Sequence, residues 1–200
     1  MVVPDLPSED TRAGLGEYAA TIDRALGDEV DVVLVPHSLG GLVGPVVAAR
    51  RPLRAVVYLC ALVPEAGLSF NEQLAAAEEP VLTLEGGRQV DDQGRSRWPD
   101  PEATARIMYA ELSPEDARWA AGQLKPQAQK SQGERSPAPP AGLRVESVIG
   151  ADDRLLSPDW SRHAARTRLG VEAIEIPAGH FPMITHPELV ADALAQLDAE

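Results

Sequence analysis

The residues whose types and spacing could do chemistry begin with Ser38, in the stretch "VLVPHSLGG" of residues 33–41. An apolar run ends there at Pro36, and the serine follows within two residues. A strand that turns sharply into a helix can hold such a serine in a strained backbone conformation, with its hydroxyl projecting above the sheet toward a carbonyl carbon. Gly40 and Gly41 supply the small residues needed where strand and helix approach closely. The alternative interpretation is that Ser38 only caps the helix that follows.

A nucleophilic serine needs a histidine as base and a carboxylate that orients this histidine, and both follow in the order serine, acid, histidine. Asp152 and Asp153 come directly after one apolar run, and His180 closely follows another. Since the carboxyl ends of parallel strands meet at one edge of an open sheet, we expect the acid and the base to lie beside Ser38. This coincidence favours a nucleophilic Ser38 over a helix cap.

Asp153 is the predicted acid, because the spacing Gly150-x-x-Asp153 followed by Pro158 suits a turn that directs a carboxylate toward the histidine. Asp152 stays open as the alternative. His180 is the predicted base, since each remaining histidine adjoins the serine, lies within a predicted helix or precedes one. Those histidines are His37, His163 and His186.

The helix that begins at residue 39 places its first backbone amides and the positive end of its dipole near Ser38, where a developing oxyanion would be stabilised. Pro36 departs from the glycine that is usual two residues before such a serine. Its fixed φ and missing N–H leave the geometry of the turn open.

Short β-branched runs alternate with longer stretches of helical period along the chain. Four runs are predicted to be buried parallel strands: residues 30–35, 54–63, 143–150 and 171–177. Four stretches are predicted to be helices: residues 11–26, 39–50, 159–169 and 187–197. This alternation is typical of an α/β fold built on an open, mostly parallel sheet with flanking helices.

Residues 64–142 break this pattern, because helical pieces and turns accumulate there without a strong core strand. We predict a helical cap or lid in this insertion and a core formed by residues 1–63 and 143–200, since inserted segments at the carboxyl ends of strands commonly form lids. The insertion contains a helical piece at 70–79, a hairpin across 91–94, two helices joined at Ser113-Pro114 and a proline-rich linker at 136–142. Its aromatic residues are candidate ligand contacts, or else core residues; they are Trp98, Tyr109 and Trp119.

Charge limits the classes of partner. The chain has 18 basic and 31 acidic residues and a net charge of −13, which argues against a nucleic-acid or anionic-membrane surface and favours a neutral or apolar small molecule. Hydrophobic residues make up 44% of the 200, enough for the core of one compact domain. We expect neither a cofactor nor a metal, and the oligomeric state is left open.

Location is predicted from three features of the sequence. The first ten residues lack the basic and apolar regions of a signal peptide, and no apolar run reaches the roughly 18 residues that a membrane span needs. The single cysteine, Cys60, lies in an apolar run and is predicted to be a buried thiol. Together these features favour a cytoplasmic protein that does not insert into a membrane.

The sequence resembles the α/β-hydrolase superfamily, and within it the small esterases akin to plant methylesterases and hydroxynitrile lyases. The resemblance covers nearly the whole chain and rests on the segments "PDLPSED", "VPHSLGGLVGPVVAARRP", "VYLCALVPEAG", "SRWPDPEATARIMYAELSPEDARWA", "ADDRLLSPDWSRHAA" and "GHFPMITHPELVADAL". It implies an α/β-hydrolase fold in which Ser38 is the nucleophile, Asp153 the acid and His180 the base. It also implies that the backbone amide of Leu39 is one of the donors to the oxyanion.

The residue after the base distinguishes the two branches of this resemblance. Similar hydroxynitrile lyases carry a lysine directly after the catalytic histidine to handle cyanide, whereas this chain has Phe181 there, and Lys125 and Lys130 fall in the predicted cap instead. The resemblance therefore favours ester hydrolysis through an acyl-enzyme. The helical cap and the uncharged surroundings of the serine favour a small, mainly apolar carboxylic ester.

The start of the chain departs from the family pattern. Related hydrolases begin with a strand and an HG-type loop whose backbone amide is the second donor to the oxyanion, and this sequence begins at "MVVPDLP". The strand in question would lie between a strand ending at Val3 and the strand of residues 30–35, so we expect an N-terminally truncated sheet with a valine-rich edge. Two alternatives to an active enzyme follow: a catalytically impaired hydrolase-fold binding protein, and a fragment without a function of its own.

Overall fold

A computed structural model describes residues 1–83 and 88–196 of the chain. Residues 84–87 of the predicted cap lie outside the described residues. So do residues 197–200, which include the predicted end of the last helix at Leu197. Among the residues that are described, no helix is both long enough and apolar enough to cross a membrane.

The described residues form strands and helices in alternation. The strands are, in chain order, β1 (Val33–Leu34), β2 (His37–Ser38), β3 (Ala55–Ala61), β4 (Gln89–Val90), β5 (Arg95–Arg97), β6 (Gln127–Ala128), β7 (Arg144–Gly150) and β8 (Ile174–Ile176). The α-helices are α1 (Leu15–Leu26), α2 (Gly44–Arg50), α3 (Phe70–Ala76), α4 (Pro101–Met108), α5 (Pro114–Gly122), α6 (Lys130–Gly133), α7 (Pro158–Ala164), α8 (Pro182–Thr185) and α9 (Pro187–Ala195). A 3-10 helix, Leu39–Val43, leads into α2, and a π-helical stretch, Ala165–Leu169, continues α7.

A parallel sheet forms the centre of the molecule. Its order is β1-β3-β7-β8, with β2 also pairing with β3, and all of these pairs are parallel. Every residue of β3 is buried, as expected for a central strand covered on both faces. Val56 and Tyr58 pack in the same cluster as α1 and α2, whereas Val57 and Leu59 pack in the cluster that includes α9. The predicted parallel sheet with flanking helices is therefore confirmed.

The strand predicted over residues 30–35 is wrong in its length. Only Val33–Leu34 pair with β3, because Asp31 has a φ of 58°, a left-handed conformation that interrupts the extended backbone. Val30 is 83% exposed and takes no part in the core. The expected strand ending at Val3 is also wrong: residues 1–7, all of them described, contain no strand and leave Val3 on the surface.

Two further elements begin later than predicted. α1 starts at residue 15 rather than residue 11, because the side chain of Glu17 accepts the Gly14 amide at 2.7 Å and defines the first turn there. β8 starts at residue 174 rather than residue 171, because the amide of Val171 is still bonded to the end of the preceding helix. The type of each element is as predicted.

The segment of residues 64–142 is not purely helical. β4, β5 and β6 form a three-stranded antiparallel sheet beside helices α3 to α6, and these strands escaped prediction because they are short and largely polar. The predicted hairpin across 91–94 is confirmed, with Asp91 Oδ1 accepting the Arg95 amide at 2.9 Å. The two predicted helices are confirmed as α4 and α5, and Ser113 Oγ caps α5 by accepting the Asp116 amide at 3.2 Å. The division into core and cap stays a prediction.

Candidate active site

Ser38 lies in a sharp turn that is tied to β3 on both sides. Its φ of 52° and ψ of −127° are rare for a residue with a side chain and store backbone strain. The carbonyl of Pro36 accepts the Leu59 amide at 3.0 Å, and the carbonyl of Ser38 accepts the Leu62 amide at 2.9 Å. The Ser38 side chain makes no capping bond to the following helix, so the interpretation of this serine as a helix cap is wrong.

The close approach of strand and helix falls on Gly41. A Cβ atom built on Gly41 would lie 2.0 Å from the carbonyl oxygen of Leu62, so only glycine fits. A Cβ on Gly40 would lie 4.0 Å from its nearest neighbour, the Pro36 side chain, which is an ordinary contact. Of the two predicted small residues, the geometry requires the second. The turn keeps its strained serine with Pro36 in the position where glycine is usual.

The imidazole of His180 lies between the side chains of Ser38 and Asp153. Its Nε2 is 2.9 Å from Ser38 Oγ, and its Nδ1 is 2.7 Å from Asp153 Oδ2. A carboxylate can only accept, so Nδ1 carries the proton and Nε2 is left to accept the serine hydroxyl. His180 is 1% exposed, which removes this chain of hydrogen bonds from competition with water. The structure thus brings together the three residues that the sequence selected.

Asp153, and not Asp152, contacts the histidine. Its Oδ1 accepts the backbone amides of Leu155 and Leu156 at 2.8 and 2.9 Å, which leaves Oδ2 for His180. These bonds to the charged form fix the carboxylate in place. Asp152 is exposed, and its own amide donates to the carbonyl of Ala178 at 3.1 Å, on the loop that leads to His180.

His37 supports the backbone of His180, a contact that the sequence did not indicate. Its Nε2 donates to the His180 carbonyl at 2.7 Å, and the two ring centroids are 4.9 Å apart. Removal from water, together with the neighbouring His180 ring, lowers the pKa of His37 to about 3, so this ring is neutral at physiological pH. No local pattern could have found this contact, because it joins residues 143 positions apart through a backbone oxygen.

Neither of the two remaining histidines contacts Ser38. His163 lies exposed on α7, and His186 hydrogen-bonds Thr185 Oγ1 at 3.0 Å. A second contact that the sequence did not indicate lies nearby: Glu111 accepts the backbone amide of Gly179, directly before His180, at 2.7 Å.

A cavity of about 300 Å³ opens in front of Ser38. Leu39 also lines it, and as the first residue of the 3-10 helix this leucine has a backbone amide without a partner inside the helix. Most of the other lining side chains are apolar: Leu62, Phe70, Leu82, Trp98, Met108, Leu124, Leu155, Leu156 and Phe181. Besides Ser38, the polar side chains of the wall are His37, Arg88, Ser96, Lys125, Gln127, Gln132 and His180. The cavity suits a small, largely apolar molecule.

The three aromatic residues named in the insertion lie in different environments. Trp98 lines the cavity, and Tyr109 is buried with its ring centroid 4.6 Å from that of Phe181. Trp119 is 68% exposed, so neither interpretation of it, as ligand contact or as core, is correct. The reason is its place on the outer face of α5, whose alanines make the inward contacts.

The described residues offer no group of three or more His, Cys, Asp or Glu side chains that could hold a metal ion. Cys60 is an unpaired, buried thiol, as predicted. Burial, with the nearby Asp153 charge, raises the pKa of this thiol to about 12. The nucleophile candidate of this site is therefore the serine hydroxyl.

Comparisons with known proteins show the family and the fold. A model of the alpha/beta hydrolase family matches residues 1–193. The chain is 28% identical over 181 residues to the carbendazim hydrolyzing esterase of Nocardioides sp. strain SG-4G, an alignment that covers 84% of this chain and 71% of the relative.

Solved structures show the same fold at lower identity. A pyrethroid hydrolase from Sphingobium faniae JZ-2 superposes with a TM-score of 0.80 at 21% identity, covering 98% of this chain and 85% of its own. A polyneuridine aldehyde esterase superposes with a TM-score of 0.75 at 16% identity, over 92% and 80% of the two chains. A methylesterase from Arabidopsis gives 0.70 at 16% identity, over 93% and 78%.

Proposed function

This chain belongs to the alpha/beta hydrolase family and is a hydrolase of the esterase type, and we propose that it cleaves a small, mainly apolar carboxylic ester through a Ser38-His180-Asp153 triad. The observation that carries the proposal is the continuous hydrogen-bonded chain from Ser38 Oγ through the buried imidazole to Asp153. The strained backbone at Ser38 adds support, because strained backbone conformations cluster at active sites.

The reaction follows from the proton positions. His180 Nε2 takes the proton of Ser38 as Oγ attacks the ester carbonyl carbon, and Asp153 stabilises the imidazolium that forms. The backbone amide of Leu39 donates to the oxyanion of the tetrahedral intermediate. His180 then gives its proton to the departing alkoxide, which leaves as an alcohol and gives the acyl-enzyme. A water molecule, deprotonated by His180, attacks the acyl carbon and releases the carboxylic acid and Ser38.

Cyanohydrin cleavage is less well supported than ester hydrolysis. Phe181, which directly follows the base, packs with its ring 4.8 Å from His37 and 4.6 Å from Tyr109, and it offers no charge for cyanide. Lys125 lines the cavity, but its Nζ is 2.9 Å from both carboxylate oxygens of Asp5. These contacts favour ester hydrolysis over cyanohydrin cleavage.

Two measurements test the proposal together. A fluorophosphonate probe should label the wild-type protein and leave Ser38→Ala unlabelled. Labelling of Ser38→Ala would contradict the assignment of Ser38 as the nucleophile. In a panel of short-chain aryl and alkyl esters, with the carbamate carbendazim added, Ser38→Ala and His180→Ala should each lower kcat/KM by at least about a thousandfold. Binding of panel compounds without any turnover by folded protein would instead favour the non-enzymatic alternative, a hydrolase-fold binding protein.

The predicted partners follow from the same proposal. A small-molecule ester is the expected ligand, and the net charge of −13 supports the prediction that neither nucleic acid nor an anionic membrane is a partner. The cytoplasmic location stays a prediction from the sequence.

A further inference from the structure

The loop that carries His180 is bound on both sides of the histidine by residues of the inserted segment 64–142. Before it, the amide of Gly179 donates to Glu111 Oε2 at 2.7 Å. After it, the ring of Phe181 packs 4.6 Å from the ring of Tyr109. Residues 109 and 111 lie in the short connection between α4 and α5, so one turn of the insertion holds both neighbours of the histidine.

The Glu111 contact has the features of a formed site and not of a chance surface pair. Its side chain is only 27% exposed, although it carries a carboxylate. Oε2 also accepts the Thr185 hydroxyl at 3.2 Å, and Oε1 lies 3.6 Å from His186 Nδ1. A Cβ on Gly179 would lie 2.8 Å from Oε2, so a larger residue at this position would make the Glu111 carboxylate shift.

The contact reaches the base through a single peptide unit. Gly179 directly precedes His180, so the direction of its N–H helps to set the backbone from which the imidazole projects. The other side of the loop is held by His37, whose Nε2 donates to the His180 carbonyl at 2.7 Å. A displacement of about 1 Å at a reacting group can lower a rate by up to about a hundredfold.

We propose that Glu111 is a positioning residue that holds the Gly179 amide and thereby keeps His180 Nε2 aligned with Ser38 Oγ. This inference rests on the proposed function, in which His180 is the base. The position of the inserted segment then contributes to the catalytic geometry. The base is aligned when the connection between α4 and α5 contacts the loop that carries His180.

The test compares three variants. Glu111→Ala removes the acceptor, Glu111→Gln keeps an oxygen that can accept the Gly179 amide, and Glu115→Ala removes an exposed carboxylate from the first turn of α5 as a matched control. We expect Glu111→Ala to lower kcat by about tenfold to a hundredfold with KM changed less than about twofold, because the base and not the ligand wall is displaced. Glu111→Gln should regain most of the lost kcat, and Glu115→Ala should match the wild type.

A spectroscopic readout keeps the test independent of turnover. The downfield proton resonance of His180 Nδ1–H, assigned with histidine-selective ¹⁵N labelling, should broaden or shift in Glu111→Ala and return in Glu111→Gln. The proposal is overturned if the resonance is unchanged in Glu111→Ala, or if the kcat of Glu111→Ala stays within about twofold of wild type. It is also overturned if Glu111→Gln loses as much kcat as Glu111→Ala. If the wild type hydrolyses no ester, the proposed function fails, while the resonance still decides whether Glu111 positions His180.

Discussion

His37 Nε2 lies 2.7 Å from the carbonyl oxygen of His180, so the residue that precedes Ser38 also holds the backbone of the histidine that contacts Ser38 Oγ. Serine and histidine lie far apart in the chain, and this second contact holds them together without involving Ser38 Oγ or His180 Nε2. It requires a proton on His37 Nε2, which the Nε2–H tautomer and the protonated ring both carry. Burial and the adjacent His180 lower the pKa of His37 to about 3, so the ring is neutral, and the carbonyl acceptor then indicates the Nε2–H tautomer.

The pKa of His37 predicts how stability depends on pH. In the unfolded chain this histidine titrates near 6.5, so between about pH 6.5 and pH 3 the unfolded state takes up a proton that the folded state does not. The contribution is fully present above pH 6.5 and is lost as the pH falls through this window. We expect His37→Gln, whose amide can still donate to His180, to lose less Tm than the wild type between pH 7 and pH 4 in scanning calorimetry. His163→Gln, a change at an exposed histidine, should keep the wild-type slope, and parallel curves for all three proteins would contradict the prediction.

Gly41 and Gly40 should differ sharply in their tolerance of a methyl group. Gly41→Ala places its Cβ 2.0 Å from the Leu62 carbonyl and must push the 3-10 helix away from the end of β3, whereas Gly40→Ala meets nothing nearer than 4.0 Å. We expect Gly41→Ala to lower the free energy of unfolding by about 1–3 kcal/mol, the usual range for overpacking, and Gly40→Ala to change it by less than half as much. Denaturant unfolding of both variants measures the difference. Equal losses would show that the turn, and not the approach to Leu62, limits this position.

Substitutions of the adjacent residues Asp152 and Asp153 should differ greatly in their effect on kcat. Asp153→Asn keeps an oxygen for the Leu155 and Leu156 amides but turns an acceptor into a donor opposite His180 Nδ1, which favours the wrong tautomer. We expect kcat to fall by about 10⁴-fold, the loss seen when an orienting aspartate is neutralised in such a triad. Asp152→Asn should stay within about threefold of wild type, because its side chain is exposed and only its amide is used. A large loss in Asp152→Asn with activity retained in Asp153→Asn would reverse the assignment of the acid.

The order and type of the main elements could be predicted because they depend on local pattern. β3 reads as an apolar β-branched run and is buried along its whole length. Parallel topology then brings the carboxyl ends of such strands to one edge, so the sequence alone predicts that Ser38, Asp153 and His180 lie together. The resemblance to the α/β-hydrolase superfamily is confirmed by the family model over residues 1–193.

Contacts to backbone groups could not be predicted in the same way. Glu111 meets the Gly179 amide across 68 positions, and His37 meets the His180 carbonyl across 143. Every residue carries a backbone carbonyl and every residue except proline a backbone N–H, so such pairs leave no trace in residue types. The predicted length of the strand at residues 30–35 is wrong for a related reason. Its valines are good strand formers, but this pattern does not indicate the left-handed backbone at Asp31.

Cys60 should be inert toward alkylation in the native protein. Burial, reinforced by the Asp153 charge, raises its thiol pKa to about 12, so at pH 8 almost no thiolate is present to react with iodoacetamide. We expect no labelling by mass spectrometry over hours in buffer and complete labelling in guanidinium chloride, with Cys60→Ala unlabelled in both. Its Sγ lies 3.8 Å from the Gly179 carbonyl, next to the amide that Glu111 binds. Labelling of the native protein as fast as that of a small free thiol would contradict the burial of Cys60. Slow labelling that becomes faster in Glu111→Ala would instead measure how often the loop that carries His180 opens.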